Sequence, residues 1–320
     1  RADPGTEIRH TSTKTAFGKG GMTLKLPTLD DLGVVVEPVI PVTKASKHGL
    51  SKEKANELIM MGVRLVRLKT RKDPSLAISA DALSSAKKYV AKICSKAKYP
   101  TNQHNTSALN AQIQAIKGLD HPNIVKCEAV CESEEDIFFI YDWPEGGFLF
   151  STVTSTSTLT EEQVAAAGRD MLCALQYAKS TKGVSKADWS MYDVLLACPQ
   201  KLPTDPLPPV VLFGVGLAGF FTVGPLQPGV RKVATDQPGA AAGAARPSGN
   251  KGKIYWTAPP LLKSGDRDCP VKALSTQDRE LCDLWAVGAM LFALVSGQPP
   301  FYGGGEVAVA EKIRAGEWRA

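Results

Sequence analysis

Residues 284–295 read Leu-Trp-Ala-Val-Gly-Ala-Met-Leu-Phe-Ala-Leu-Val, which is apolar on every side of a helix. A surface helix needs a polar face, so the pattern predicts a helix buried at the centre of a domain. Asp283 stands at the boundary of this run and reads as its cap, and Gly297-Gln298-Pro299-Pro300-Phe301 as a sharp end. The run is too short for the ~20 residues of a membrane helix. The other apolar stretch, 210–223, is interrupted by Gly214, Gly216 and Gly219, so no membrane span is expected. With 43% hydrophobic residues in a chain of 320, a sizeable core can form around the central helix.

The formal net charge of +6 is spread over many Lys and Arg, which describes a solvated basic face and not a nucleic-acid surface. Cys94, Cys127, Cys131, Cys173, Cys198, Cys269 and Cys282 are scattered, odd in number and mostly inside apolar segments. Neither a disulfide framework nor a zinc spacing emerges, and the expectation is the cytoplasm or another reducing compartment. The chain starts at Arg1 without Met and without a signal-peptide apolar region, and the expectation is a processed or excised segment of a soluble protein.

Residues 1–48 mix Gly, Pro, Thr and charge around one β-branched run broken by Pro38 and Pro41, and read as a tail or strap. Ser51 followed by helix formers and Gly62 predicts a helix over 51–61. Strands are predicted at 63–68, 89–94 and 137–141, and Leu109, Ile113 and Ile116 sit at helical spacing before Gly118. Residues 142–147, Asp-Trp-Pro-Glu-Gly-Gly, stop the last strand and form a connector. Thr160 with Gln163 makes a capping box for a long amphipathic helix. A short buried strand follows at 210–213, then a Pro/Gly/Ala-rich stretch over 224–253 read as a mobile loop, and a last helix over 307–314. Strands with one helix come first and helices afterwards, which predicts an α+β fold with two lobes.

Several stretches then combine into one pattern: Leu-Asp-His-Pro-Asn-Ile-Val at 119–125, the Gly146-Gly147 connector, Asp283-Leu284-Trp285 through Pro299-Pro300-Phe301, and the loop 183–196. From about residue 63 to 318 the chain resembles a eukaryotic protein kinase domain, nearest in spacing to the calcium/calmodulin-dependent and calcium-dependent Ser/Thr kinases. The resemblance implies an N-terminal extension over 1–60 and an N-lobe of antiparallel sheet plus one helix over 61–142. A mainly helical C-lobe would follow over 143–320, incomplete because the chain ends before its last helices.

The same resemblance implies roles for single residues, and many depart from the kinase pattern. Lys92 matches the Lys that holds the α- and β-phosphates, but its Glu partner is replaced by Gln112. The phosphate-covering loop would fall at 69–75, where there is no glycine and Pro74 obstructs the backbone. Tyr141 matches the residue at the back of the adenine pocket. Asp142, Trp143 and Pro144 match the hinge, where Pro144 has no N–H to give the adenine unless Trp143 or Glu145 supplies one. Asp188 matches the base that accepts the substrate hydroxyl proton, a vestige beside Lys186 and Ala187, which replace His-Arg, and Ser190, which replaces a Lys. Asp193 replaces the metal-binding Asn and as a hard oxygen ligand can still bind Mg²⁺. Gly214-Val215-Gly216 replaces Asp-Phe-Gly and carries no carboxylate, and Ala258-Pro259-Pro260 loses the Glu of Ala-Pro-Glu. ATP and Mg²⁺ binding are therefore expected to be weak or absent. The expectation is a pseudokinase with protein partners, its alternative a divergent active Ser/Thr kinase built on Lys92, Asp188 and Asp193.

Overall fold

The computed structural model describes residues 26–68, 88–96, 103–153, 159–187, 189–202, 205–217, 253–262 and 274–318. Asp188, the cationic stretch 69–75, Cys269 and most of the Pro/Gly/Ala-rich stretch, 224–252, lie outside them. Five strands, β1 (Val34–Val36), β2 (Arg64–Leu68), β3 (Tyr89–Ser95), β4 (Cys127–Glu132) and β5 (Asp136–Asp142), form one antiparallel sheet in the order β1-β2-β3-β5-β4. Alternation of side chains across this sheet decides what faces inward. Val90 lies opposite Tyr141, and Lys92 opposite Phe139, in the register of β3 with β5.

The segment before residue 60 contributes directly to this lobe. Val34–Val36 pairs with β2, and residues 37–63, between the two strands, carry α1 (Lys52–Met61). Ser51 accepts the Lys54 N–H as its N-cap, and Gly62 ends the helix in the left-handed region at φ 65°. One face buries Ala55, Leu58 and Met61. Helix α2 (Gln103–Lys117) buries Leu109, Ile113 and Ile116 against the same cluster, which also holds Val90, Tyr141, Trp143, Leu195 and Phe213.

The second lobe is built on α3 (Glu161–Lys182) and α4 (Thr276–Ser296), with a two-stranded sheet of β6 (Val194–Leu196) and β7 (Val210–Leu212) and a last helix, α5 (Glu306–Ala315). The expected Thr160–Gln163 capping box is present, with both reciprocal bonds made. Met171, Ala174, Leu196, Leu212, Met290 and Leu294 meet in the core between these elements.

Two expectations for the central helix are corrected. It begins at Thr276 with Ser275 as its cap, so Asp283 lies inside it. It is also not buried all round: Ala286, Met290 and Leu294 are fully enclosed, while Leu284 is 53% and Val295 51% exposed. Apolar composition set the hydrophobicity of both faces, but packing from α3 covers only one.

The lobes are joined by the connector and by the 119–125 segment. Asn123, buried, donates its side-chain N–H to the Val210 carbonyl (2.8 Å), and the Val125 N–H bonds Leu212 of β7 (2.9 Å). At Gly146 the chain passes so near the end of β6 that an added Cβ would stand 2.3 Å from the Leu196 carbonyl oxygen. Only glycine permits that approach.

Candidate functional site at the lobe interface

The loop before β6 is held from below by one carboxylate. Asp283 accepts the backbone N–H of Lys186 (3.0 Å) and of Ala187 (2.5 Å) and the indole N–H of Trp189 (2.6 Å). These bonds hold Ala187 at φ 51°, a left-handed conformation that costs a residue with a Cβ roughly 1–2 kcal/mol. Asp283 is only 4% exposed, and burial pushes its carboxyl up to about 6, against the opposing pull of the Trp189, Ala187 and Lys186 bonds and the Lys186 charge.

Lys186 sends its ammonium on to Asp193, with Nζ 3.2 Å from Oδ2, and both side chains are buried. The same Asp193 oxygen accepts the Ser190 N–H at 2.8 Å. The Asp193 carboxylate is thus already engaged by a cation and a backbone donor. Its carbonyl accepts the Phe213 N–H (2.8 Å), which ties the loop to the start of the Gly214-Val215-Gly216 triplet. Gly214 and Gly216 both have positive φ, 69° and 82°.

Above this loop, the side chains expected at a nucleotide are brought together but are occupied. Lys92 Nζ sits 5.4 Å over the Phe213 ring and 3.4 Å from the Met61 carbonyl at the end of α1. Gln112 donates to the Gly216 carbonyl (2.7 Å), so this residue links α2 to the triplet. The Tyr141 and Phe213 rings meet at 4.8 Å, with Tyr141 fully enclosed. In the connector, the Trp143 N–H bonds the Lys88 carbonyl (2.9 Å). Of the two residues that could take over from Pro144 as hinge donor, Trp143 is therefore already engaged.

Helix α1 packs into the cluster that holds Tyr141, Trp143 and Phe213. Lys54 Nζ stands 5.4 Å over the Trp143 ring and bonds the Glu145 carbonyl (3.1 Å) as well as Glu57 (2.8 Å). A Cβ added at Gly147 would be 3.2 Å from Glu57 Oε1, which shows how closely helix and connector approach. A separate cleft of about 480 Å³ opens on the connector, lined by Lys88, Lys126, Asp142, Trp143, Pro144 and Glu145 among others, but by none of Lys92, Gln112 or Tyr141.

Sequence reasoning missed α1 as part of this site, as well as the Asp283 anchor and the Lys186–Asp193 pair. Only the last had a local signal: a Lys and an Asp both replace neutral polar or aromatic residues of the kinase pattern, in the same loop. Among the described residues no three His, Cys, Asp or Glu side chains gather as a metal-binding group, and no helix is long and apolar enough to cross a membrane. Cys94, Cys127, Cys131, Cys173, Cys198 and Cys282 are free thiols.

Residues 76–200 match the protein kinase domain family. A probable myosin light chain kinase of Dictyostelium discoideum is 28% identical over 196 residues, 61% of this chain and 52% of its own length. Calcium-dependent protein kinase 4 of Plasmodium falciparum (isolate 3D7) is 26% identical over 230 residues, 72% of this chain and 36% of its own. The chain spans about half or less of the length of these curated relatives. Among solved structures, Rad53 in complex with AMP-PNP superposes with a TM-score of 0.52 at 18% identity, covering 80% of this chain and 50% of that one, a likeness of fold. These matches bear out the resemblance to protein kinases of the calcium-dependent and myosin light chain types, and with it the bilobed α+β kinase-like fold.

Proposed function

We propose that this protein kinase-like domain works as a pseudokinase, a regulatory, scaffolding or protein-binding module without efficient phosphoryl transfer. The observation that carries the reading is Gly214, which places no carboxylate where the kinase pattern has its principal metal ligand. Asp193 does not replace it, because its carboxylate neutralises the buried Lys186 ammonium and accepts the Ser190 N–H. The residues present do not fit Mg²⁺. They fit ATP poorly as well, since Lys92 faces the Met61 carbonyl, the Trp143 N–H is bonded to Lys88, and Pro144 has no N–H.

Without a metal, charge developing on a transferred phosphoryl group goes unstabilised, a loss of several kcal/mol and on the order of a thousandfold or more in rate. Asp188 is then a vestigial base, and the loop around it serves to tie α4 to β6. In this reading the first lobe spans 61–142 and the second 143–320, and 1–60 is an extension that serves the first lobe by adding β1 and α1 to it. The partners are proteins. The free thiols support a reducing compartment such as the cytoplasm.

Incubation with Mg²⁺, ATP labelled on its γ-phosphate and a generic protein substrate is expected to give no incorporation above blank. Mg²⁺-dependent transfer that Asp188→Asn abolishes would sink the reading in favour of a divergent Ser/Thr kinase.

A further inference from the structure

The interlobe cleft is filled by the chain itself. We propose that α1 is a built-in occupant of this cleft, which is a groove for an amphipathic helix and excludes nucleotide while the helix is seated. The inference rests on the pseudokinase reading and adds what the site holds in place of a nucleotide.

Three observations converge on it. First, α1 is a complete helix in its own right, capped by Ser51 and stopped by Gly62, and its inward face of Ala55, Leu58 and Met61 joins the same cluster as Val90, Tyr141, Trp143, Leu195 and Phe213. Second, its contacts fall on the side chains and backbone that the kinase pattern assigns to a nucleotide: Lys54 on Trp143 and the Glu145 carbonyl, Met61 on Lys92. The Met61 contact has a clear electrostatic sense. The carbonyls of a helix C-terminus lack intrahelical partners and carry partial negative charge, so the end of α1 offers the Lys92 ammonium what a phosphate would. Third, both ends of residues 37–63 are fixed by the pairing of β1 with β2. Docking is therefore intramolecular, and a tethered occupant competes at an effective concentration that free nucleotide must exceed.

The seat is also breakable. Lys54 is partly exposed and lies outside the buried face, so Lys54→Glu removes its bonds to the connector, and the ring contact, without creating a cavity. Leu58→Asp puts a charge into the buried face and is the stronger variant.

The test uses the full 320-residue chain, with native-state hydrogen exchange, a methylanthraniloyl derivative of ATP and a labelled peptide of residues 50–63. In the wild type, the amides of 52–61 are expected to be protected, and neither probe to saturate at millimolar concentration. Lys54→Glu should raise exchange in 52–61 by about tenfold and Leu58→Asp by more, with β5 unchanged, and both should let the peptide bind in trans. Should Leu58→Asp also expose β5, it has unfolded the lobe, and Lys54→Glu alone carries the decision. Equal exchange of 52–61 in wild type and Lys54→Glu, or nucleotide binding as tight in the wild type as in that variant, overturns the proposal. Phosphoryl transfer by Lys54→Glu, beside a wild type that is protected and inert, would defeat the pseudokinase reading and leave the docking standing; an unprotected α1 in a wild type without transfer does the reverse.

Discussion

The floor and the wall of the interlobe cleft treat buried polar groups in opposite ways. Below, among the described residues of the loop 183–196, Asp283 takes three N–H groups, and Lys186 and Asp193 neutralise each other. Above, the buried Tyr141 hydroxyl has the weakly bonding Cys127 thiol beside it, and the Trp143 indole N–H is buried without a hydrogen-bond partner among the described residues. Unmatched buried polar atoms are costly, so their presence marks where the fold is not optimised for stability. The difference teaches which part of a kinase-like scaffold continues to work as structure. In the proposed reading the loop that would carry catalysis serves as a bracket between α4 and β6, while the wall holds the apolar face of an amphipathic helix.

The largest effect expected from this contrast belongs to the floor. Asp283→Ala leaves the N–H groups of Lys186, Ala187 and Trp189 unpartnered and removes a charge facing Lys186. At ~1–3 kcal/mol for each stranded donor, with incomplete additivity, a loss of about 3–5 kcal/mol is expected in urea unfolding. A loss under ~1 kcal/mol would mean that the loop holds its shape without the anchor, and the contrast would fail.

The second effect is a pH dependence of the same group. The Asp283 carboxyl titrates at about 6 in the fold, where burial outweighs its hydrogen bonds, and near 3.9 in the unfolded chain. Between these values the native state binds more protons, so this contribution to stability is fully present below about pH 4 and is lost as pH rises through about 6. A difference of about two pH units corresponds to ~2–3 kcal/mol. The measurement is the unfolding free energy of wild type minus that of Asp283→Asn from pH 4 to 7, which should fall by that amount. A difference that instead rises with pH would show that the three N–H bonds outweigh desolvation.

Much of the fold could be read locally, because the signals are local. Thr160 with Gln163, Ser51 with Gly62, and the alternation over 63–68 lie within one element each, and all appear where they were expected. Asp283 shows the limit. A carboxylate at the edge of an apolar run has the look of an N-cap, yet its partners Lys186 and Ala187 are 97 and 96 residues away. The same holds for α1. Its helix was legible, but its seat depends on Lys54 reaching the Glu145 carbonyl across 91 residues. At the site, the missing carboxylate at Gly214 could be seen from residue identity, whereas the diversion of Asp193 toward Lys186 needed the distance between them.

The smallest expected effect lies on the wall, and it gives the contrast its sharpest form. Tyr141 is 1% exposed, and its hydroxyl lies beside the Cys127 thiol, a weak donor whose Sγ is already directed at the Ala129 carbonyl at 3.5 Å. Burial and the neighbouring thiol raise the phenol well above its ordinary range, and burial pushes Cys127 itself up to about 12, so both stay neutral. Tyr141→Phe removes an oxygen that has only the weakly bonding Cys127 thiol beside it and keeps the ring against Phe213. A hydroxyl with a good partner is worth ~1 kcal/mol, and one without a partner costs free energy by being buried. The substitution should therefore be neutral or stabilise the protein by less than about 1 kcal/mol in the urea assay used for Asp283→Ala. A destabilisation of ~1 kcal/mol or more would give the hydroxyl a partner after all and make the wall as well matched as the floor.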